Sequence, residues 1–306
     1  MAASAADSIP VILDTDIGDD IDDALALALA LQSPELDVRA VITVLQHRER
    51  RADLVWKILE LYGRTDIPVG MGAEQPLLTP PRSGEVRQTT ALPASYRMPE
   101  ERRRNGIQLM IETLLDSPRK ITVLAYGPAT NLALALKTEP RIREKIERFV
   151  LMNGIFFGGV RPEYNTLRDP EASAIVYGAG IPLTTVGLDV TMKCRMAPED
   201  MKRFEESPLP SAKFLLEIIR IWQGGRPAQM PVLHDPLSVA VTFRPDLIQT
   251  QRGRVIVETK GQPLITYGAT AFRADAEGTT FVASEVNSRG FLDMFLDRVL
   301  SKPRAK

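Results

Sequence analysis

IPVILDTDIGDDIDDALALALAL, residues 9–31, sets an apolar run, an acidic turn and an Ala/Leu run end to end. Residues 9–13 are rich in β-branched side chains and read as a buried strand. Residues 24–31 alternate with period two, as a strand would. Ala and Leu are nevertheless strong helix formers, and acidic residues ahead of them suit the positive end of a helix. With Leu at every second position this helix has no polar face, so it is expected to be buried on all sides. Strand, turn and helix make the opening unit of a doubly wound sheet.

The same pattern repeats along the chain. Strands are expected at 38–45, 67–71, 121–125, 149–152 and 183–188, and helices at 51–62, 106–115, from about 131, 170–177, 211–222 and 236–241, with β-prone segments from 254. Residues 75–101 are rich in Pro, Ser, Thr and Arg and read as a long mobile surface loop. No internal repeat or domain break is visible. The expected architecture is α/β: one doubly wound domain over residues 1–306, a mostly parallel central sheet flanked by helices, with 1–8 disordered.

Composition narrows the function. The 306 residues are 44% hydrophobic and 25% charged with a net charge of −1, which fits a globular protein with a large core and offers no electrostatic footing for nucleic acid or an anionic membrane. Cys194 is the only cysteine, which excludes an internal disulfide and Cys-rich zinc sites. The opening MAASAADS lacks the basic and apolar parts of a signal peptide, and no apolar run reaches the roughly 18 residues of a membrane span. A cytoplasmic location is expected.

The turn carries the chemistry. Asp14, Asp16, Asp19, Asp20, Asp22 and Asp23 fall within ten residues, and no Lys or Arg precedes Arg39. Carboxylates this dense repel one another, and a hard divalent cation held by oxygen ligands neutralises them. In open α/β sheets ligands bind beyond the carboxyl ends of the strands. Besides Asp14 and Asp16, those ends offer Tyr126, Asn153, Glu163, Asn165, Asp189, His234 and Asp235. Neighbours on a helix project about 100° apart, so Asp22 and Asp23 are expected to face different partners, one the metal and one the substrate. Asp16 and Asp23 are taken as metal ligands, whereas Asp19 and Asp20 are taken as residues that cap the helix and complement its dipole. An EF-hand is excluded, because counting from Asp14 the sixth and twelfth positions are not Gly and Glu. A phosphohydrolase with an Asp-x-Asp nucleophile stays open as an alternative.

At these residues the chain resembles the inosine-uridine preferring nucleoside hydrolases. Their opening motif, Asp-x-Asp-Pro-Gly-x-Asp-Asp-Ala, is similar to Asp14-Thr15-Asp16-Ile17-Gly18 and Asp22-Asp23-Ala24, with Ile17 for Pro and two extra residues before the paired aspartates. Gly127-Pro128-Ala129-Thr130-Asn131-Leu132, Glu163-Tyr164-Asn165 with Asp169-Pro170-Glu171-Ala172, Val186-Gly187-Leu188-Asp189-Val190-Thr191 and His234-Asp235-Pro236 follow in the family's order. The resemblance implies a Ca²⁺ held by Asp16, Asp23, the Tyr126 carbonyl and Asp235. It implies Asp16 as the base for the attacking water, Asp22, Glu163 and Asn165 on ribose hydroxyls, and His234 as acid for the departing base. It further implies a ribonucleoside substrate, cleaved to ribose and free base, and a homodimer or homotetramer.

Three places depart from the family, at Gln46-His47, Asn153 and Phe157, whereas Trp222 keeps the family's aromatic. Gln46-His47 stands where Gly-Asn or Gly-Asp is usual, so His47 either meets the substrate or sits on the surface. Asn153 replaces a Gly of Met-Gly-Gly and either offers its amide to the substrate or bonds the backbone, Phe157 replaces an asparagine at the ribose 5′ end, and Trp222 falls where an aromatic can lie over the base or simply fill the core. Besides the phosphohydrolase, a non-catalytic nucleoside-binding relative is the remaining alternative.

Overall fold

Residues 8–78, 85–262 and 265–304 are described by the structure, a computed structural model. Residues 1–7, the bulk of the expected disordered start, and 79–84 of the expected mobile loop lie outside the described residues. Among the described residues ten strands form one sheet: β1 Ile9–Thr15, β2 Leu36–Thr43, β3 Val69–Met71, β4 Arg103–Asn105, β5 Ile121–Ala125, β6 Ile146–Met152, β7 Leu183–Val186, β8 Ile248–Val257, β9 Thr270–Ala274 and β10 Thr280–Val286. Their order is β4-β3-β2-β1-β5-β6-β7-β10-β8-β9. All neighbours from β4 to β10 pair in parallel, and only β8 and β9 add antiparallel partners.

Eleven helices flank this sheet among the described residues: α1 Asp22–Gln32, α2 Arg48–Leu61, α3 Gly106–Asp116, α4 Thr130–Thr138, α5 Tyr164–Arg168, α6 Pro170–Tyr177, α7 Leu188–Thr191, α8 Pro198–Glu206, α9 Pro210–Gln223, α10 His234–Phe243 and α11 Ser288–Val299. Alternation along β1 feeds two cores. Val11 and Leu13 join α1, α2, α9, α10 and α11 on one face. Ile12 joins α3, α4 and α6 on the other. Every residue of α1 is buried, as its lack of a polar face requires. The chain steps from β1 to β2, β3 and β4 on one side and then restarts with β5 on the other. That reversal opens a crevice at the carboxyl ends of β1 and β5, the place where such sheets bind ligands.

Several expectations shift. Helix α2 starts at Arg48, three residues early, because His47 adopts a left-handed conformation with φ 62° and its carbonyl accepts from Arg51 N at 3.0 Å. Strand β7 stops at Val186, and Leu188 already opens α7. The β-prone C-terminal segment contains three strands followed by α11, whose Phe291, Leu292, Phe295, Leu296 and Val299 form a buried stripe at helical spacing. Residues 85–101 are tied to α2: Arg50 donates to the Thr89 and Tyr96 carbonyls at 3.2 and 3.1 Å, and Asp53 accepts from Met98 N at 2.8 Å.

Candidate active site

Beyond β1 the loop 16–21 drops into α1, and beyond β5 the chain turns at Tyr126, whose N–H donates to the Asp14 carbonyl at 3.0 Å. Between them lies a cavity of about 320 Å³, the lower end of the range for small-molecule sites. Its wall includes Asp16, Asp22, Asp23, Tyr126, Glu163, Asn165, Trp222, His234 and Asp235, which are nine of the eleven residues expected to form the site. His47 and Asn153 are not in that wall. His47 is exposed at the start of α2. Asn153 is buried with its backbone carbonyl accepting from Thr185 Oγ1 at 2.9 Å. Phe157 is also off the wall, edge-on to Phe272.

One carboxylate oxygen each from Asp22, Asp23 and Asp235 lies within 4.8 Å of the other two, so all three can hold one cation. This corrects the expectation that Asp22 and Asp23 face apart. Side chains in a first helical turn lean toward the N-terminus, where adjacent positions can converge beyond the helix end. The N-termini of α1 and α10 meet there, and Asp235 N donates to Asp22 Oδ2 at 3.1 Å. Two helix dipoles thus point their positive ends at the carboxylates. Asp16 shares the cavity but stands outside the close triad. The Tyr126 carbonyl accepts from Asn165 Nδ2 at 3.1 Å, which uses one of its two lone pairs.

Burial, reinforced by neighbouring carboxylates, pushes Asp16 up to about 7 and holds Asp23 and Asp235 well above the usual carboxylate range. Burial likewise lifts Asp22 to about 6. Buried carboxylates facing one another with only oxygen donors are the chemistry a hard divalent cation fits. Thr15 Oγ1 orients Asp23 by donating to its Oδ1 at 2.5 Å.

Asp14 turns away from this group. It is wholly buried, accepts from Asn131 Nδ2 at 2.7 Å, and is raised to about 8 chiefly by that burial. A nucleophile in this position has no path to a phosphoester, which removes the geometric basis of the phosphohydrolase alternative. Glu163 caps α5, its carboxylate accepting from Asn165 N at 2.7 Å and from Gly154 and Thr166 N at 3.1 Å each, and burial raises it to about 7. Asn165 Nδ2 bridges the ends of β5 and β6 through Tyr126 O and Met152 O at 3.1 and 3.0 Å. His234 Nδ1 lies 2.7 Å from Thr191 Oγ1, and burial lowers the imidazole to about 4.

Asp19 and Asp20, expected as caps, line the cavity instead, while the α1 cap position is Ile21 with no side-chain cap. Asp19 pairs with Arg51 at 3.2 Å, and the Trp222 side chain hydrogen-bonds to Asp20. Tyr164, Met152 and Leu188 complete the wall. All three stand in or beside the motif blocks, Tyr164 within Glu-x-Asn, Leu188 within Val-Gly-Leu-Asp and Met152 at the Met-Gly-Gly position.

Residues 11–293 match the family described as inosine-uridine preferring nucleoside hydrolase. The pyrimidine-specific ribonucleoside hydrolase RihA of Shigella boydii is 35% identical over 312 residues, covering 95% of this chain and 98% of the relative. RihA of Escherichia coli is likewise 35% identical over 315 residues, with the same coverage. Among solved structures, the plant nucleoside hydrolase PpNRh1 superposes with a TM-score of 0.82 at 26% identity, covering 96% of this chain and 99% of that one. A purine-preferring ribonucleoside hydrolase from Gardnerella vaginalis gives 0.80 at 25% identity, covering 95% and 98%. The chain belongs to the nucleoside hydrolase family and is an enzyme of that class.

Proposed function

We propose that this enzyme hydrolyses the N-glycosidic bond of ribonucleosides with a bound Ca²⁺, and that pyrimidine ribonucleosides are its substrates. The observation that carries this is the meeting of Asp22, Asp23 and Asp235 in a nucleoside-sized cavity at the switch point of the sheet. The pyrimidine preference is supported by the relatives at 35% identity. Asp23, Asp235, the Tyr126 carbonyl and one or both of Asp16 and Asp22 would hold the ion. Such an ion supplies Lewis acidity toward water and a grip on a vicinal diol.

Asp16, a carboxylate on the cavity wall, takes the proton of the attacking water. Asp22, Glu163 and Asn165 orient the ribose hydroxyls, and those contacts accelerate cleavage to the extent that they tighten as the sugar becomes oxocarbenium-like. With Nδ1 occupied by Thr191, His234 offers Nε2 to the departing base, and at neutral pH it does so as a neutral imidazole. The enzyme is proposed to act in the cytoplasm as a homodimer or homotetramer. No described helix is long and apolar enough to cross a membrane.

The test is ribose release from a panel of purine and pyrimidine ribonucleosides, with and without a chelator. Chelator-sensitive release from uridine or cytidine, abolished by Asp16→Asn, is expected. No ribose from any ribonucleoside, or full activity in Asp16→Asn, sinks the assignment.

A further inference from the structure

The loop that carries Asp16 is held by two side chains that no part of the proposed chemistry uses. Arg51 of α2 is 1% exposed and spends all its donors on this region. Nε donates to the Gln46 carbonyl at 2.8 Å, and Nη1 donates to the Asp16 and Ile17 carbonyls, the second at 2.9 Å. Nη2 lies 3.2 Å from both carboxylate oxygens of Asp19. From the opposite side Gln88, wholly buried, donates through its backbone N–H to the Gly18 carbonyl at 3.4 Å and through Nε2 to the Asp20 carbonyl. The carbonyls of residues 16, 17, 18 and 20 are therefore all turned onto this pair. Gly18 completes the fit. Its φ of +116° favours glycine, and a Cβ there would run into Val86, two residues before Gln88.

We infer that Arg51 and Gln88 are positioning residues that fix the acidic loop, so that Asp16 and the cation ligands following it present their carboxylates to the cavity. The inference rests on the proposed function and deepens it. The opening motif is two residues longer here than the family pattern, and a longer loop has more conformations to suppress. Asp19, in that lengthened stretch, is the residue the guanidinium grips. Only a planar fork with five N–H groups can reach the Gln46, Asp16 and Ile17 carbonyls and the Asp19 carboxylate together, and an ammonium cannot. Ångström-scale displacement of a base can cost about a hundredfold in rate.

The experiment compares Arg51→Lys, Arg51→Ala and Gln88→Leu with the parent. It reads Ca²⁺ affinity by calorimetry, kcat and KM on the best ribonucleoside, and recovery with millimolar guanidinium chloride. Arg51→Lys is expected to lose about tenfold in Ca²⁺ affinity and about thirtyfold in kcat, with KM within about threefold. Arg51→Ala is expected to regain at least tenfold in kcat with guanidinium and nothing with ammonium, a rescue that loss of bulk stability would not produce. Gln88→Leu should shift both readouts in the same direction by about fivefold, and it carries the test if Arg51→Ala does not fold. Parental Ca²⁺ affinity and kcat in Arg51→Lys or Gln88→Leu, or a folded Arg51→Ala indifferent to guanidinium, overturns the inference. Calorimetry needs no substrate, so a parent that binds Ca²⁺ but cleaves no ribonucleoside refutes the proposed activity without touching the clamp.

Discussion

Removing one charge from the acidic triad should stabilise the metal-free protein. In the absence of a cation, Asp22 titrates near 6 in the folded chain because burial disfavours its carboxylate, against 3.8 when unfolded. The native state therefore holds that proton more tightly. The stability it contributes is complete below about pH 3.8 and is lost as pH climbs through about 6. At about 1.4 kcal/mol per pH unit, the interval from 3.8 to about 6 amounts to about 3 kcal/mol of native stability missing at pH 7.5. Asn has the shape of the protonated side chain and can still accept the Asp235 N–H, so Asp22→Asn removes the cost of the buried charge while keeping the contact. In excess chelator, urea unfolding at pH 7.5 should show the variant about 2–3 kcal/mol more stable than the parent, with an unchanged slope. The gap should close near pH 4. Saturating Ca²⁺ should reverse the order, because a cation bound at a thousand times its Kd adds about 4 kcal/mol to the parent and less to a variant missing a ligand. A variant no more stable than the parent in chelator at pH 7.5 refutes the claim that the buried Asp22 carboxylate costs the cation-free protein stability.

Three other outcomes follow from the packing. Asn131→Ala should cost about 3 kcal/mol by urea titration, because Asn131 serves Asp14 at 2.7 Å, the Thr43 carbonyl at 3.1 Å and Ala73 N at 2.8 Å, all around the root of the loop. A loss under 1 kcal/mol would mean the three bonds are replaced by water. Leu27→Ala, in the middle of the wholly buried α1, should cost about 2–5 kcal/mol in the same assay. A near-neutral result there contradicts the placement of this helix in the core. Trp222→Ala should raise KM for ribonucleosides about tenfold while kcat stays within about threefold, since a stacked base contributes about 1–3 kcal/mol of binding. Unchanged KM would assign Trp222 to packing alone.

Much of the fold is a local matter and was legible before any tertiary structure. The β-branched run of β1, the Ala/Leu composition of α1 and the recurring strand–helix alternation specify a parallel α/β sheet because each is a property of a short window. Five motif blocks in family order likewise led to the nucleoside hydrolases, and nine of the eleven residues expected for the site line the cavity. Strand β4 was not legible, since Arg103-Arg104-Asn105 has no strand pattern and is extended only through pairing with β3.

Which carboxylates converge was decided only by the assembled chain. Asp22 and Asp235 are separated by 213 positions, and they meet because two helix N-termini abut across the crevice left by the strand order. Composition alone cannot tell Asp14, turned inward onto Asn131, from Asp16, turned to the cavity, although they stand two residues apart. Nor can it tell that Arg51, the last of three arginines that open α2, is the buried one. Side-chain type is written residue by residue, whereas burial and convergence depend on contacts between segments that are distant in the chain.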